Sequence, residues 1–325
     1  MKSLKMLQIK KMLLIVALIF PVALTKAQVS YFGNEPKNIE KLSVLKNTTT
    51  LFTLQYADYV ELKEFEEAIK KTWTITPFKI IKPEELASYD TLPNYSFFYF
   101  DAFTEKIDTI INSNIVYALK LVTPSKLPKQ KDENIYAYVT LFADVYTNLT
   151  VKQQGEKAAV RKSYKRELLN MLYNGSRFVN WSPGLLAGYL KQINDGLLLE
   201  QSREIDYQFY NKVRLPDLAK ETLYVPEYVR EIFSSQRVKL PKNNVIQEPY
   251  NYKLKFLPFK ELDSLILNKE SGIKYLVYTQ RANDKIISVY DSKDDKIIYQ
   301  KFYFQSPEFE MNDLYDIKAV IKSLK

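Results

Sequence analysis

Two nine-residue stretches with the same residue pattern lie 176 positions apart, and this repetition constrains the fold more than any other feature of the sequence. FKIIKPEEL begins at Phe78 and LKFLPFKEL begins at Leu254. Each starts with an apolar residue, a lysine and two further apolar residues, a pattern typical of a strand. Each then passes a proline before a Glu-Leu pair, which favours the start of a short helix. The sequence therefore predicts the same strand-to-helix corner in two places.

The elements predicted around these stretches follow one order in each half of the chain: strand, helix, strand, short helix, and then three strands. In the first half, the predicted strands are Thr48–Tyr56, Thr72–Ile81, Tyr95–Phe100, Asn114–Val122 and Asn134–Phe142. In the second half, they are Thr222–Val225, Tyr252–Leu257, Ile273–Gln280, Ile286–Ser292 and Lys296–Phe304. TLYV at Thr222 echoes TLFT at Thr50, and IKYLVYTQ at Ile273 aligns with YSFFYFDA at Tyr95 after a two-residue gap.

We therefore predict an α+β (mixed α/β) fold, with two diverged copies of a small α/β module that have mixed sheets and are joined by a helical connector. The predicted divisions are a signal peptide at 1–27, a first module at 28–150, a connector at 151–215 and a second module at 216–325. In the connector, one helix is predicted over Lys157–Tyr173, and another is predicted to begin at Pro183 with Ser182 as its N-cap. The segment from Gly155 to about Leu215 is expected to be helical and to belong to neither sheet.

The first 27 residues have the pattern of a secretory signal. Four lysines precede an apolar core of 13 residues, which runs from Met12 to Leu24, and small residues then flank Lys26 at the expected cleavage site. We expect cleavage after Ala27. The alternative, a membrane anchor, needs about 20 apolar residues, and a lipoprotein needs a cysteine, which the sequence lacks. The abundance of Lys, Ile, Asn and Tyr indicates an AT-rich bacterial genome, so we predict export to the periplasm or the extracellular side of a Gram-negative envelope.

Removal of this segment changes the charge of the chain. The whole sequence carries +9, but five lysines and no acidic residue lie within residues 1–27, so the predicted mature chain carries +4. The high pI is therefore largely a property of the leader, and the charge does not indicate a nucleic-acid partner. No later stretch is long and apolar enough to span a bilayer, so no transmembrane segment is predicted in the mature chain.

The sequence contains no histidine, no cysteine and only seven glycines. These absences exclude Ser-His-Asp and Cys-His machinery, His-ligated zinc and disulfides, and the glycines do not build a phosphate-binding loop. The enzymatic options that remain are carboxylate pairs, Ser-Lys dyads and carboxylate-bound metals. The turn at 291–295 has carboxylates for calcium but lacks the glycine and distal glutamate of an EF-hand loop. No catalytic, cofactor-binding or metal-binding residue is predicted.

Two features are candidates for binding. Four cations of the first connector helix share one face by their spacing of three and four residues, which suits an anionic surface. They are Arg161, Lys162, Lys165 and Arg166. The alternative is an ordinary solvated helix face. The second candidate is Trp181, which can stack on a ligand such as a sugar, or can instead pack at the start of the helix that follows it.

The element order of each half resembles the N-terminal domain of the periplasmic translocation protein TolB and the related domain of the curli secretion channel. FKIIKPEEL lies where such domains have their second strand and short helix, and YSFFYF lies where they have the next strand. The segments NWSPGLLAGYL and TLYVPEYV also resemble uncharacterised secreted proteins of Gram-negative bacteria. The resemblance lies in pattern and carries no functional residue to this chain, because a shared fold does not establish function.

The sequence favours an exported, non-enzymatic binding or scaffolding protein of the bacterial envelope. Its partner is expected to be an envelope protein or a polysaccharide, with no cofactor. One alternative is a carboxylate-based hydrolase acting on polysaccharide, which needs two carboxyl groups about 5–10 Å apart in one cleft. Another is a binder of anionic envelope surfaces, for which the four cations are the supporting feature.

Overall fold

The computed structural model describes residues 28–32, 41–89, 92–105, 114–124, 133–158, 164–204, 208–230 and 250–325. Within these residues the chain forms two six-stranded mixed sheets with helices packed against them. The predicted fold class is therefore confirmed. The predicted signal segment lies outside the described residues. In the part of the chain that the structure describes, every helix is too short or too polar to cross a membrane.

The first module contains six strands and three short helices. The strands are β1 (Val29–Tyr31), β2 (Thr49–Thr53), β3 (Phe78–Ile81), β4 (Tyr95–Glu105), β5 (Asn114–Pro124) and β6 (Glu133–Leu141). The helices are α1 (Leu42–Lys46), α2 (Leu62–Thr72) and α3 (Leu86–Tyr89). The strand order is β1-β6-β5-β4-β2-β3, in which β2 is parallel to β3 and β4 and the other pairs are antiparallel. Hence β4 lies inside the sheet, and β3 is an edge strand, where the preceding Pro77 is tolerated.

Three helices lead from the first module to the second, which repeats the same arrangement. The connecting helices are α4 (Val145–Ala158), α5 (Tyr164–Asn174) and α6 (Pro183–Leu198). The second set of strands is β7 (Phe209–Tyr210), β8 (Leu223–Pro226), β9 (Leu254–Leu257), β10 (Lys274–Arg281), β11 (Asp284–Asp291) and β12 (Lys296–Tyr303). The last helices are α7 (Phe259–Leu267) and α8 (Met311–Ser323). The strand order, β7-β12-β11-β10-β8-β9, matches that of the first sheet position by position.

The register of the strands agrees between the two sheets as well as their order. In the first sheet, Thr50 of β2 pairs with Phe78 on one side and with Ser96 on the other. The corresponding pairs in the second sheet are Leu223 with Leu254 and Leu223 with Lys274. These pairs confirm the predicted alignment of Phe78 with Leu254, and the two-residue gap before the next strand.

Both sheets also contain a β-bulge at the same place. In the first sheet, Val122 pairs with Ile135 but Leu121 pairs with Ala137, which leaves Tyr136 as the extra residue. The second sheet has the same interruption, between the pairs Tyr290–Ile297 and Val289–Tyr299. Because a bulge is a specific local device that is kept within a family, its presence in both sheets supports an origin of the two modules from one ancestor.

One predicted alignment is wrong by a single residue. The similarity of TLYV to TLFT aligns Leu223 with Leu51, whereas the strand pairings above make Leu223 equivalent to Thr50. A shift of one residue moves a side chain to the other face of a sheet. The apparent echo therefore matches residues that lie on opposite faces.

Three further boundaries differ from the predictions. The segment expected to lie outside both sheets contributes β7, because Tyr210 pairs with Tyr299 of β12. The strand predicted from Thr72 begins only at Phe78, since α2 continues to Thr72 and the next residues form a loop. The helix predicted over Lys157–Tyr173 corresponds to the end of α4 and to α5, with 159–163 outside the described residues.

Helix α6 lies between the two modules and is buried along most of its length. It begins as predicted, with Ser182 as the N-cap and Pro183 in the first turn. Its apolar residues share one core with β-strand residues of both modules, including Phe98 and Tyr275. A second core lies between the other face of the second sheet and α8. Helix α6 is thus the central layer between the two modules.

Three glycines, spaced four and eight residues apart, let α6 approach its neighbours closely. A Cβ atom added at Gly184 would lie 2.5 Å from Oδ1 of Asp263 and 2.9 Å from Cγ2 of Ile266. One at Gly188 would lie 3.2 Å from the Tyr275 hydroxyl, and one at Gly196 would overlap the ring of Tyr31. Three of the seven glycines of the sequence therefore serve the contact of one helix with its surroundings.

We expect Gly184→Ala to destabilise the protein by about 1–3 kcal/mol, the usual range for overpacking a close contact. The added methyl group must displace Asp263 or Ile266. Gly175→Ala is the matched control, because a Cβ there has no neighbour nearer than 4.0 Å. Urea unfolding of both variants measures the difference. Equal stability of the two variants would contradict the close packing of α6 against α7.

A buried polar network ties α6 to both sheets. The Gln28 side chain donates from Nε2 to the Tyr189 hydroxyl at 2.7 Å and accepts from the Tyr290 hydroxyl at 3.3 Å. Tyr189 in turn donates to the Asn180 carbonyl at 2.8 Å, and Gln192 donates to the Tyr290 hydroxyl at 2.8 Å. Buried polar groups cost free energy unless they are paired, so this network fixes how the modules meet.

Candidate functional site

The first turns of α4 expose three large apolar side chains. Val145 is 75% exposed, Tyr146 is 71% exposed and Leu149 is 55% exposed, whereas Thr147 and Val151 on the other side of the helix are buried. Side chains three and four positions apart are neighbours on a helix surface. We call Val145, Tyr146 and Leu149 the apolar row. Adjacent exposed apolar side chains of this size are typical of an interaction surface rather than of a solvated helix.

Hydrogen bonds fix the N-terminal end of α4 to the rest of the protein. Asp144 accepts a hydrogen bond from the backbone N–H of Thr147 at 2.8 Å, which caps the helix, and its own N–H donates to the Arg177 carbonyl at 3.0 Å. The Arg177 N–H donates to the Thr147 hydroxyl at 2.9 Å. These bonds hold the two ends of the α4–α5 pair together. The apolar row therefore has a defined position beside the first sheet.

Helix α5 returns the chain to the first module. Leu168, Leu172 and Tyr173 are buried against it, and the Tyr173 hydroxyl accepts the N–H of Phe100 at 3.0 Å. Phe100 lies on β4 beyond the end of β2. The Tyr173 hydroxyl therefore accepts the backbone hydrogen bond that a neighbouring strand would otherwise accept at Phe100. Burial raises the pKa of Tyr173 well above its usual value, so the hydroxyl stays neutral.

The positive charge of the chain is concentrated in this same region. Residues 152–167 contain six cations and two acids, a net charge of +4. That value equals the net charge of the whole predicted mature chain, so the remainder of residues 28–325 is balanced. The cations are Lys152, Lys157, Arg161, Lys162, Lys165 and Arg166. The apolar row and the charge excess thus lie close together along the chain, within residues 145–167.

The four cations singled out in the sequence fall partly outside the described residues. Arg161 and Lys162 lie in the segment 159–163, of which the structure describes nothing. Lys165 and Arg166 lie in the first turn of α5, as the predicted helix requires. Their common face remains a prediction. Lys152, which the sequence analysis did not select, is exposed on α4 in the turn after Leu149.

Trp181 is a core residue, and this removes it as a ligand-stacking candidate. Its side chain is 7% exposed, its ring stacks on Phe65 at a centroid distance of 5.5 Å, and the edge of Phe100 meets it at 5.0 Å. The indole N–H donates to Oδ2 of Asp58 at 3.0 Å. The ring and its polar atom are therefore enclosed by the protein itself, as the alternative interpretation of a packed helix start requires.

The acidic turn at 291–295 also has internal partners. Each of its three carboxylates meets a cation of the same module. The ion pairs are Lys274–Asp291 at 2.9 Å, Arg214–Asp294 at 2.7 Å and Lys269–Asp295. Within the described residues, no group of three side chains is arranged to hold a metal ion. The turn is thus an ion-paired connection between β11 and β12.

The apolar row is not among the residues predicted from the sequence to bind a partner. Asp144 before VYTNLTV is a helix N-cap signal that could have located the start of α4. The pattern does not indicate which side is buried, because valine occurs at both 145 and 151. Only the packing of α4 shows that Val151 is inside and Val145 is outside.

Comparison of the chain with protein-family models, with curated proteins and with solved structures found no match.

Proposed function

We propose that the protein is an exported binding or scaffolding component of a bacterial envelope that attaches to an anionic surface through α4 and α5. The single observation that carries this proposal is the concentration of positive charge at residues 152–167, which follow directly on the exposed apolar row of α4. A balanced protein with one cationic segment is attracted to anionic partners through that segment. Export, which the first 27 residues suggest, would bring the protein to such surfaces.

The two components of the surface contribute in different ways. Each cation near an anionic membrane surface contributes about 1 kcal/mol, and the contribution falls off within a Debye length of about 8–10 Å. Apolar side chains beside the cations add binding that depends little on salt, because it comes from burial in the boundary between headgroups and acyl chains. Tyr146 suits this boundary, since its ring is apolar and its hydroxyl is polar. The two modules would then be presented on the surface.

We expect the protein to sediment with anionic phospholipid vesicles at low salt and not with neutral phosphatidylcholine vesicles. A four-fold Gln variant at Arg161, Lys162, Lys165 and Arg166 should bind the anionic vesicles at least tenfold more weakly, and the difference should shrink as salt is raised. A triple Ser variant at Val145, Tyr146 and Leu149 should weaken binding at every salt concentration. Co-sedimentation across a salt series measures all three.

The matched control changes four exposed lysines elsewhere. Replacing Lys63, Lys70, Lys212 and Lys260 with glutamine alters the net charge equally but leaves α4 and α5 unchanged, and these lysines are exposed. This variant should bind like the wild type. Equal loss in the two four-fold variants would show that only net charge matters and would overturn the proposed site. Equal binding to anionic and neutral vesicles would overturn the anionic surface itself.

A further inference from the structure

Two carboxylates, one from each module, hold the first turn of α6. Asp58, in the 3-10 helix Tyr56–Glu61 of the first module, accepts the Trp181 indole N–H at 3.0 Å and the Gln55 backbone N–H at 2.9 Å. Asp263, in α7 of the second module, accepts the Ser182 hydroxyl at 2.5 Å and the Gly184 N–H at 2.9 Å. The start of the connector is therefore bound from both sides by acidic side chains.

Each carboxylate uses only one of its two oxygens for these bonds. Both donors to Asp58 reach Oδ2, and both donors to Asp263 reach Oδ1. Among the described residues, the second oxygen of each side chain has no hydrogen-bond donor. A proton can therefore occupy that oxygen while both hydrogen bonds persist, and protonation removes the cost of keeping a charge out of water.

The surroundings of both carboxylates disfavour the charged form. Burial is the largest cause and raises the pKa of Asp58 and of Asp263 to about 6, against hydrogen bonds that lower it. The Glu61 carboxylate faces both groups and raises their pKa further, while Lys269 acts in the opposite direction on Asp263. The other charged or titratable groups nearby are the Tyr59 and Tyr275 phenols and Lys260, which lies 3.7 Å from Glu61.

We infer that the start of α6, held between Asp58 and Asp263, is a pH-sensitive joint. Protonation of these two carboxylates strengthens it, so the two modules are bound together more firmly in mild acid than at neutral pH. The direction follows from linkage. Both groups bind a proton near pH 6 in the folded protein but only near pH 4 when unfolded. The folded state therefore holds more protons between these values, and its stability rises as the pH falls through 6. The gain levels off near pH 4.

The two carboxylates do not contribute equally. Asp263 is buried, whereas Asp58 is only partly buried, so solvent screens its charge. For a group with the pKa of Asp263, the linkage relation lowers the equilibrium constant for opening of the contact between the modules by about tenfold from pH 7 to pH 5. A smaller shift is expected for Asp58. This inference concerns the module junction and does not depend on the proposed surface binding.

Hydrogen exchange at the Gly184 amide tests the joint directly, since this N–H is bonded to Asp263. After correction for the intrinsic exchange rate, its protection in the wild type should rise about tenfold from pH 7 to pH 5. In Asp263→Asn, the neutral amide keeps an oxygen for both donors, so protection should be high at both pH values. Asp58→Asn should remove a smaller part of the pH dependence.

Asp195→Asn is the matched control, because Asp195 lies near the other end of α6 and pairs with Lys191 at 2.6 Å. This variant should keep the pH dependence of the wild type. Protection that is independent of pH in the wild type would overturn the inference. So would an unchanged pH dependence in Asp263→Asn. If Asp263→Asn does not fold, the Asp58→Asn variant decides, since its pH dependence must then be smaller than that of the wild type.

Discussion

Replacing Trp181 with alanine is expected to lower the free energy of unfolding by about 3–5 kcal/mol, the usual range for truncating a buried tryptophan. The substitution removes the ring that stacks on Phe65 and meets Phe100, and it leaves Asp58 without its indole donor. Urea unfolding followed by circular dichroism measures the change. A loss below about 1 kcal/mol would contradict the core position of this side chain.

Trp181→Phe separates the two contributions. Phenylalanine keeps an aromatic ring against Phe65 but has no N–H for Asp58. We therefore expect a smaller loss than for alanine, about 1–3 kcal/mol for the lost hydrogen bond to a charged acceptor, because Asp58 is partly buried and keeps the Gln55 N–H. A ligand-stacking residue would behave differently, since its removal would weaken binding and leave stability almost unchanged.

Asp313→Ala is expected to destabilise the protein by about 3–5 kcal/mol, because it leaves a buried lysine without its counter-charge. The Lys285 ammonium lies 2.9 Å from Asp313, and both side chains are 1% exposed. Lys285 also donates to the Glu308 carbonyl at 2.5 Å and lies 4.9 Å from the centre of the Tyr303 ring. Burial raises the pKa of Asp313 to about 6 although Lys285 lowers it, so desolvation is the dominant cause.

Two further variants make this prediction specific. Glu67→Gln breaks the exposed Lys63–Glu67 pair and should give no measurable change, since exposed ion pairs contribute little. The double variant Lys285→Met, Asp313→Leu removes both charges and should recover most of the loss. Urea unfolding at pH 7 compares all of them. An Asp313→Ala variant as stable as Glu67→Gln would show that the buried pair contributes nothing.

The repeat of FKIIKPEEL in LKFLPFKEL, together with the shared order of elements, predicts the two modules because both stretches form the same local structure. An edge strand that turns into a short helix needs alternating burial followed by a proline, and both requirements lie within nine consecutive residues. The edge strands β1 and β7 were harder to predict. Phe209 and Tyr210 form a strand only because β12 offers unpaired backbone groups beside them, and a two-residue strand has no pattern of its own.

The pH-sensitive joint at the start of α6 could not be predicted for a related reason. In FKELDSL, Asp263 looks like any polar residue of an amphipathic helix. It becomes special only when α6 places Ser182 and Gly184 against it. Likewise, nothing in TWTITP shows that Trp73 packs edge-on against Phe52 and Phe98 in place of forming a strand. Contacts between distant segments decide these roles, and local propensity does not report them.

If a leader is removed after Ala27, as the sequence predicts, the position of Gln28 implies an order of events. Its side chain lies at the centre of the contact between the modules, bound by Tyr189 and Tyr290, and it is 0% exposed. A protease needs several extended residues on each side of the bond that it cuts, and the folded junction would hide those on one side. Cleavage would therefore precede the closing of the modules, and the residue released by the peptidase would become one of the last to be enclosed. Maturation and folding of such a chain would be one sequence of steps, with the peptidase acting before the second module docks on the first.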